Sequence, residues 1–194
     1  MTKTLSLREV RELATRALSA NGASEECAAA VAAVVASAEL NGCASHGLFR
    51  IPGYVASLVN GRADGRAVPV VEDVAPGMVA VDAAGGFAPP AMRAGRQPLI
   101  EKTRAQGIAV LGIRNSYHFA ALWPDIEPLA EADLIALAFV NSKSYIPPWG
   151  GRTPLYGTNP MAFACPRADG PPMCWDQASA ALARGEIQLA ARDG

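Results

Sequence analysis

The 194-residue chain has two histidines, four cysteines and an aromatic content of 6%, and its acidic and basic side chains nearly cancel, leaving a net charge of -1. Each scarcity excludes something. Without clustered Lys and Arg there is no electrostatic reason to expect a nucleic acid or an anionic membrane as partner. No apolar run reaches the length of a bilayer span, and the longest, LIALAFV at 134–140, suits a buried strand. The N-terminus, MTKTLSLREVRELATRALS, interrupts its apolar positions with charges and so lacks the apolar segment of a signal peptide. Cys27, Cys43, Cys165 and Cys174 form no CxxC pair and have no His at ligand spacing, so neither a metal site nor a disulfide framework is indicated. Reduced thiols in a cytoplasmic protein are the expectation. No GxGxxG follows the first strand and no GxxxxGKS or GxxxxGKT occurs, so a nucleotide bound here is not held by the usual Gly-rich turns.

What is present is an ordinary globular composition, 51% hydrophobic and 18% charged, enough for one domain or two small ones. Ser6 followed by Glu9 is a capping box, and Leu7, Val10, Ala14, Ala17 and Leu18 recur at helical spacing until Asn21 and Gly22 stop the run. Ser24, Glu25 and Glu26 open a second, Ala-rich helix that reaches about Leu40. A third is predicted from Ser45 to Asn60, bent by Pro52. From Ala67 the texture changes to β-branched runs: VPVVEDV and MVAVDAAG are strands around a Pro76-Gly77 turn. A helix over 90–106, the buried strand IAVLGIRN, a helix near 119–132 and the strand LIALAFVN follow, an order that implies an α/β arrangement. The Pro- and Gly-rich section 141–174 reads as an ordered loop. The chain thus divides into an N-terminal helical segment, 1–66, and an α/β part, 67–194.

Two segments hold chemistry. In ASHGLFRIPGY, 44–54, a helix capped by Ser45 would place His46 in its first turn and Arg50 on the same face, an acid/base group beside a carboxylate-binding fork. The positive surroundings would disfavour a protonated His46, so a proton donor here requires a nearby carboxylate. A cap followed by two solvated polar side chains is the plain alternative. The second, HFAALW at 118–123, follows a buried strand at the end where open α/β sheets bind ligands. Thr158 in the GTNP turn offers a hydrogen-bond donor, while WD at 175–176 and the charged tail default to solvated surface.

Taken together these segments are far more specific. SHGLFRIPGY, HFAALW, the run VNSKSYIPPWGGRTPLYGTNPMAFACPR and WDQASAALARGEIQ resemble, in order, the malate/L-lactate dehydrogenase family of NAD(P)H-dependent oxidoreductases, a non-Rossmann type with a mixed-sheet cofactor domain. HFAALWPDIEPLAE resembles the branch that reduces the cyclic imines Δ1-piperideine-2-carboxylate and Δ1-pyrroline-2-carboxylate. The resemblance implies that His46 is the proton donor with Ser45 in a relay, that Arg50 holds the substrate carboxylate and that Thr158 contacts substrate. It also implies that His118, Phe119, Ala120, Ala121 and Leu122, with Asp176, Gln177 and Ala178, bind the cofactor, NADPH or NADH. Glu186 falls where the family has a relay aspartate. The chain departs from the family in DQASA, where DLATS is usual, and in the extra methylene of Glu186. Family members continue through a further long segment, so the fold is expected to be incomplete at the C-terminus. A homodimer, a small imino or 2-oxo acid as ligand, and no metal complete what the likeness implies; the alternatives are a malate- or lactate-type 2-oxo acid dehydrogenase and an inactive remnant.

Overall fold

The computed structural model describes residues 4–117 and 120–193, and the chain groups into two compact units, Met1–Ala120 and Ala121–Gly194. The change from helices to strands near residue 67 lies inside the first of these.

In the first unit, α1 (Leu7–Ser19) starts at the capping box: Glu9 N donates to Ser6 Oγ at 3.3 Å and Ser6 N donates to Glu9 Oε2 at 2.8 Å. The helix α2 (Glu25–Leu40) starts at Ser24, whose hydroxyl accepts from Cys27 N at 3.2 Å. Its many alanines let other elements approach closely, and nine of its residues are buried, so α2 is the spine of the unit rather than an amphipathic surface helix. Val10, Ala14 and Leu18 of α1 pack against Val31 and Val35, and the cluster closes over Tyr54 and Phe87, whose rings meet edge to face at 5.3 Å.

The third helix departs from expectation. Ala44–His46 and Leu48–Arg50 form two successive 3-10 turns, and α3 (Ile51–Val59) begins only after them. Pro52 explains this: its ring opposes helical continuation back toward residue 48, while in a first turn its missing N–H costs nothing. It starts the helix instead of bending it.

The strands β1 (Val70–Ala75) and β2 (Met78–Asp82) form the expected hairpin, and β3 (Val110–Arg114) lies parallel to β2 across the helix α4 (Ala88–Gln106), giving a mixed sheet in the order β1-β2-β3. The helix α4 ends at Gly107, whose φ of 82° is the left-handed conformation a helix stop favours. On its sheet-facing side, a Cβ at Gly95 would come within 2.6 Å of Leu111, so glycine sets how closely α4 lies on the sheet.

In the second unit, α5 (Trp123–Ala130) has Pro124 in its first turn and leads to β4 (Ala136–Phe139), β5 (Met161–Cys165) and β6 (Met173–Gln177), an antiparallel sheet in that order. Both β5 and the start of β6 fall in the section expected to be loop. MAFAC is short and lies between turn-forming stretches, and it becomes a strand because β4 and β6 supply hydrogen-bonding partners on both sides, a tertiary effect that local pattern does not carry. Nor are β3 and β4 fully buried: Val110, Leu137 and Phe139 are exposed. β4 alternates, with Ala136 turned inward and Leu137 aligned with Phe163 and, through it, Trp175, whose rings stack at 6.0 Å. The chain closes with α6 (Arg184–Asp193), largely solvent-facing as its charges suggested.

Candidate functional site

Ser45, His46 and Arg50 lie on consecutive turns of the first unit. Ser45 is 4% exposed, and its hydroxyl does not cap a helix; it pairs with His46 Nδ1 at 2.9 Å. A buried hydroxyl at that distance fixes the ring's orientation and commits Nδ1 to the protein, which is how a histidine is prepared for proton transfer through its other nitrogen. The anion-attracting helix start expected beneath His46 is absent, because α3 begins five residues later.

Two neighbours escaped sequence reading. The Cys43 thiol lies 3.5 Å from His46 Nδ1 and 3.7 Å from Ser45 Oγ, so it backs the same pair. Glu39, near the end of α2, accepts from Leu48 N at 2.6 Å. Neither carried a signal: a cysteine outside any pairing motif and a glutamate at a helix end are common features. The Arg50 guanidinium stands 5.9 Å from the centre of the Phe49 ring.

His118 and Phe119 lie outside the described residues. Ala120, Ala121 and Leu122, which follow them, are buried. In the second unit Leu122 N donates to Asp176 Oδ2 at 2.6 Å and Trp123 N donates to the same oxygen at 3.2 Å. The two stretches that resemblance assigns to the cofactor, 54 positions apart, therefore meet. Asp176 is not solvated surface: its carboxylate is at the start of α5, where it satisfies amides and opposes the helix dipole. It consequently shapes this locus, and an additional anion would be repelled there. Gln177 is exposed at the end of β6 and Ala178 follows half-buried.

Thr158 adjoins the same end of the sheet, because the residue after it leads into β5 and Met161 pairs with Gln177. Its hydroxyl lies 3.2 Å from Ser142 Oγ, Asn159 Oδ1 accepts from Ser142 N at 3.0 Å, and Asn159 N donates back to Ser142 Oγ at 3.1 Å. Ser179, directly beyond Ala178, donates from its amide to Thr158 O at 2.8 Å and from its hydroxyl to Asn159 O at 2.6 Å. The GTNP turn and the segment after β6 are thus one hydrogen-bonded structure, with Ser142 and Ser179 as the unanticipated members. Glu186 is exposed in the first turn of α6, where its Oε2 accepts from Ala183 N at 3.3 Å.

A family model described as malate/L-lactate dehydrogenase matches residues 5–194. The Δ1-pyrroline-2-carboxylate/Δ1-piperideine-2-carboxylate reductase of Pseudomonas syringae pv. tomato is 52% identical over 193 residues, which are 100% of this chain and 56% of the relative. That of Pseudomonas putida is 53% identical over 186 residues, 96% of this chain and 54% of the relative. The crystal structure of Δ1-piperideine-2-carboxylate reductase from P. syringae pv. tomato superposes with a TM-score of 0.94 at 52% identity, covering 100% of this chain and 58% of that one. The chain spans about half the length of the curated relatives it matches. With a match over nearly every residue and the same fold throughout, the chain belongs to the malate/L-lactate dehydrogenase family.

Proposed function

We propose that this chain carries the proton-donating and carboxylate-holding part of an NAD(P)H-dependent reductase of cyclic 2-imino acids, Δ1-piperideine-2-carboxylate and Δ1-pyrroline-2-carboxylate. The observation that supports it best is the buried Ser45 hydroxyl 2.9 Å from His46 Nδ1, in a chain about half of whose residues are identical to those of reductases bearing that name. Arg50 grips the substrate carboxylate with its planar fork. His46, held at Nδ1, delivers a proton from Nε2 to the imine nitrogen, so that charge does not build up there. Ser45 keeps the ring aimed, while the likeness to the family gives Thr158 a contact with the substrate and Glu186 the place of the relay carboxylate.

Ala120–Leu122 and Asp176–Ala178, with His118 and Phe119, would hold the nicotinamide cofactor, which supplies hydride to the substrate's C2 when bound. The fit rests on the bond between Leu122 and Asp176, which makes one locus of the two stretches. A cyclic imine is readily protonated, so with it the histidine orients more than it activates. In a 2-oxo acid the same carboxylate would meet Arg50, which makes malate- or lactate-type reduction the second reading, favoured by the family's own description. The same reading includes NADPH or NADH as the cofactor, a homodimer for the full-length protein and a cytoplasmic location.

A panel of NADPH and NADH against Δ1-piperideine-2-carboxylate, Δ1-pyrroline-2-carboxylate, oxaloacetate and pyruvate tests this. Oxidation of NADPH with the cyclic imines above the 2-oxo acids is expected. Turnover of the 2-oxo acids alone would replace the reading with the second, and no binding or oxidation of either cofactor would mark an inactive remnant. Light scattering on the same sample reads the oligomeric state.

A further inference from the structure

His46 and Arg50 sit on separate 3-10 turns, Ala44–His46 and Leu48–Arg50, and the single residue between them, Gly47, ends one and begins the other. Any swing at that junction changes the spacing between the two side chains. One end of the segment is tied to α2 by Cys43 N, which donates to Ala38 O at 2.8 Å. The other is tied by Glu39, whose Oε1 accepts from Leu48 N at 2.6 Å, the short distance of a charge-assisted bond. Leu48 N is the first amide of the second turn and has no partner within it, so Glu39 fills a position that would otherwise be orphaned. Gly47 is buried, and a Cβ there would fall on the Glu39 carboxylate. A side chain at position 47 would displace that carboxylate. Helix preference does not explain the glutamate, since a negative charge near a helix C-terminus opposes the macrodipole and no basic residue occupies the last turn of α2.

We propose that Glu39 is a positioning residue: its carboxylate, seated against Gly47 and bonded to Leu48 N, fixes the junction that holds His46 in register with Arg50. The proposal rests on the roles given above to those two residues. On the elements packed against the first turn, α2 and the second turn, the charged side chains are Glu39 and Arg50 together with Glu25 and Glu26 at the far end of α2.

The test combines spectra that need no activity with kinetics. In wild type the Leu48 amide proton should resonate downfield and exchange slowly; in Glu39→Ala it should move upfield and exchange faster, and the His46 ring signals should shift. Glu39→Gln, which keeps an acceptor oxygen, should recover most of the wild-type spectrum. Gly47→Ala should disturb Leu48 as Glu39→Ala does, and the double variant should be no worse than Gly47→Ala alone, because both changes break one contact. If the chain turns over cyclic imines, Glu39→Ala should lower kcat/KM by about 100-fold, the scale of a misplaced reacting group, with Glu39→Gln restoring it. An unchanged Leu48 amide in Glu39→Ala, unmoved His46 signals, or additive effects of Glu39→Ala and Gly47→Ala would overturn the proposal. Absence of turnover in wild type would instead count against the functional reading and leave the spectra to decide on Glu39.

Discussion

Asp176 offers the sharpest separation between a scaffold and a ligand-contacting role. One of its oxygens accepts from both Leu122 N and Trp123 N, and Leu122 is 2% exposed, so water cannot replace the bond to its amide. Asp176→Ala leaves a buried N–H unsatisfied, which costs about 1–3 kcal/mol, and removes a negative charge from a helix start, about 0.3–1 kcal/mol more. The expected loss is therefore on the order of 1–4 kcal/mol of the second unit's stability. Asp176→Asn keeps an acceptor and should lose only the charge contribution, about 0.3–1 kcal/mol. Urea unfolding followed by tryptophan fluorescence reads this unit selectively, because Trp123, Trp149 and Trp175 all lie within it. If Asp176→Ala unfolds within about 0.5 kcal/mol of wild type, the size of an ordinary surface change, while cofactor affinity collapses, then Asp176 meets the cofactor directly and its role at α5 has been overstated.

Ser45→Ala removes the hydroxyl from His46 Nδ1 and should lower kcat for the cyclic imine by about ten- to a hundredfold, the equivalent of one hydrogen bond to a charged group; an unchanged kcat would remove Ser45 from the relay. Bonds from Arg114, and then its charge, hold the Glu72 carboxyl below its ordinary range, and the Ala84 amide followed by Asn115 does the same for Asp82. Both folded-state values are depressed, so their stabilisation is present above the unfolded values and lost as pH falls through the folded ones. The urea midpoint of the first unit should therefore decline between roughly pH 5 and pH 3, and Arg114→Met should flatten that decline. Burial pushes the thiols of Cys27 and Cys174 up to about 11, so iodoacetamide at about pH 8 should spare both in the native protein and label both after unfolding; labelling of Cys27 in the native state would contradict its place in the core.

The legible parts of the fold were those written locally. Ser6 with Glu9, Ser24 with its two glutamates, and Gly107 announce helix ends because the cap is made by side chains a few positions away. The hairpin around Pro76-Gly77 and the crossover through α4 follow for the same reason. What failed to show depended on distant partners: β5 becomes a strand because β4 and β6 flank it, and the half-buried Asp176 caps amides rather than facing solvent because α5 begins 53 residues earlier in sequence. At the candidate site, residue types located the segment and mistook its geometry. Ser45 looks like a cap in one dimension, and only the placement of Pro52 moves the helix start to Ile51 and frees the serine to hold His46. Glu39 and Gly47 are eight positions apart and explain each other only in three dimensions.

The central claim is that His46 donates the proton in reduction of a 2-imino or 2-oxo acid. Replacement of His46 by Ala, assayed by NADPH oxidation with Δ1-piperideine-2-carboxylate and with pyruvate under identical conditions, tests it most directly. A large loss with the 2-oxo acid and a smaller loss with the self-protonating imine are expected, by factors of about 100 or more for the former, the range of general acid catalysis. Equal, undiminished reduction of both substrates by His46→Ala would contradict the account.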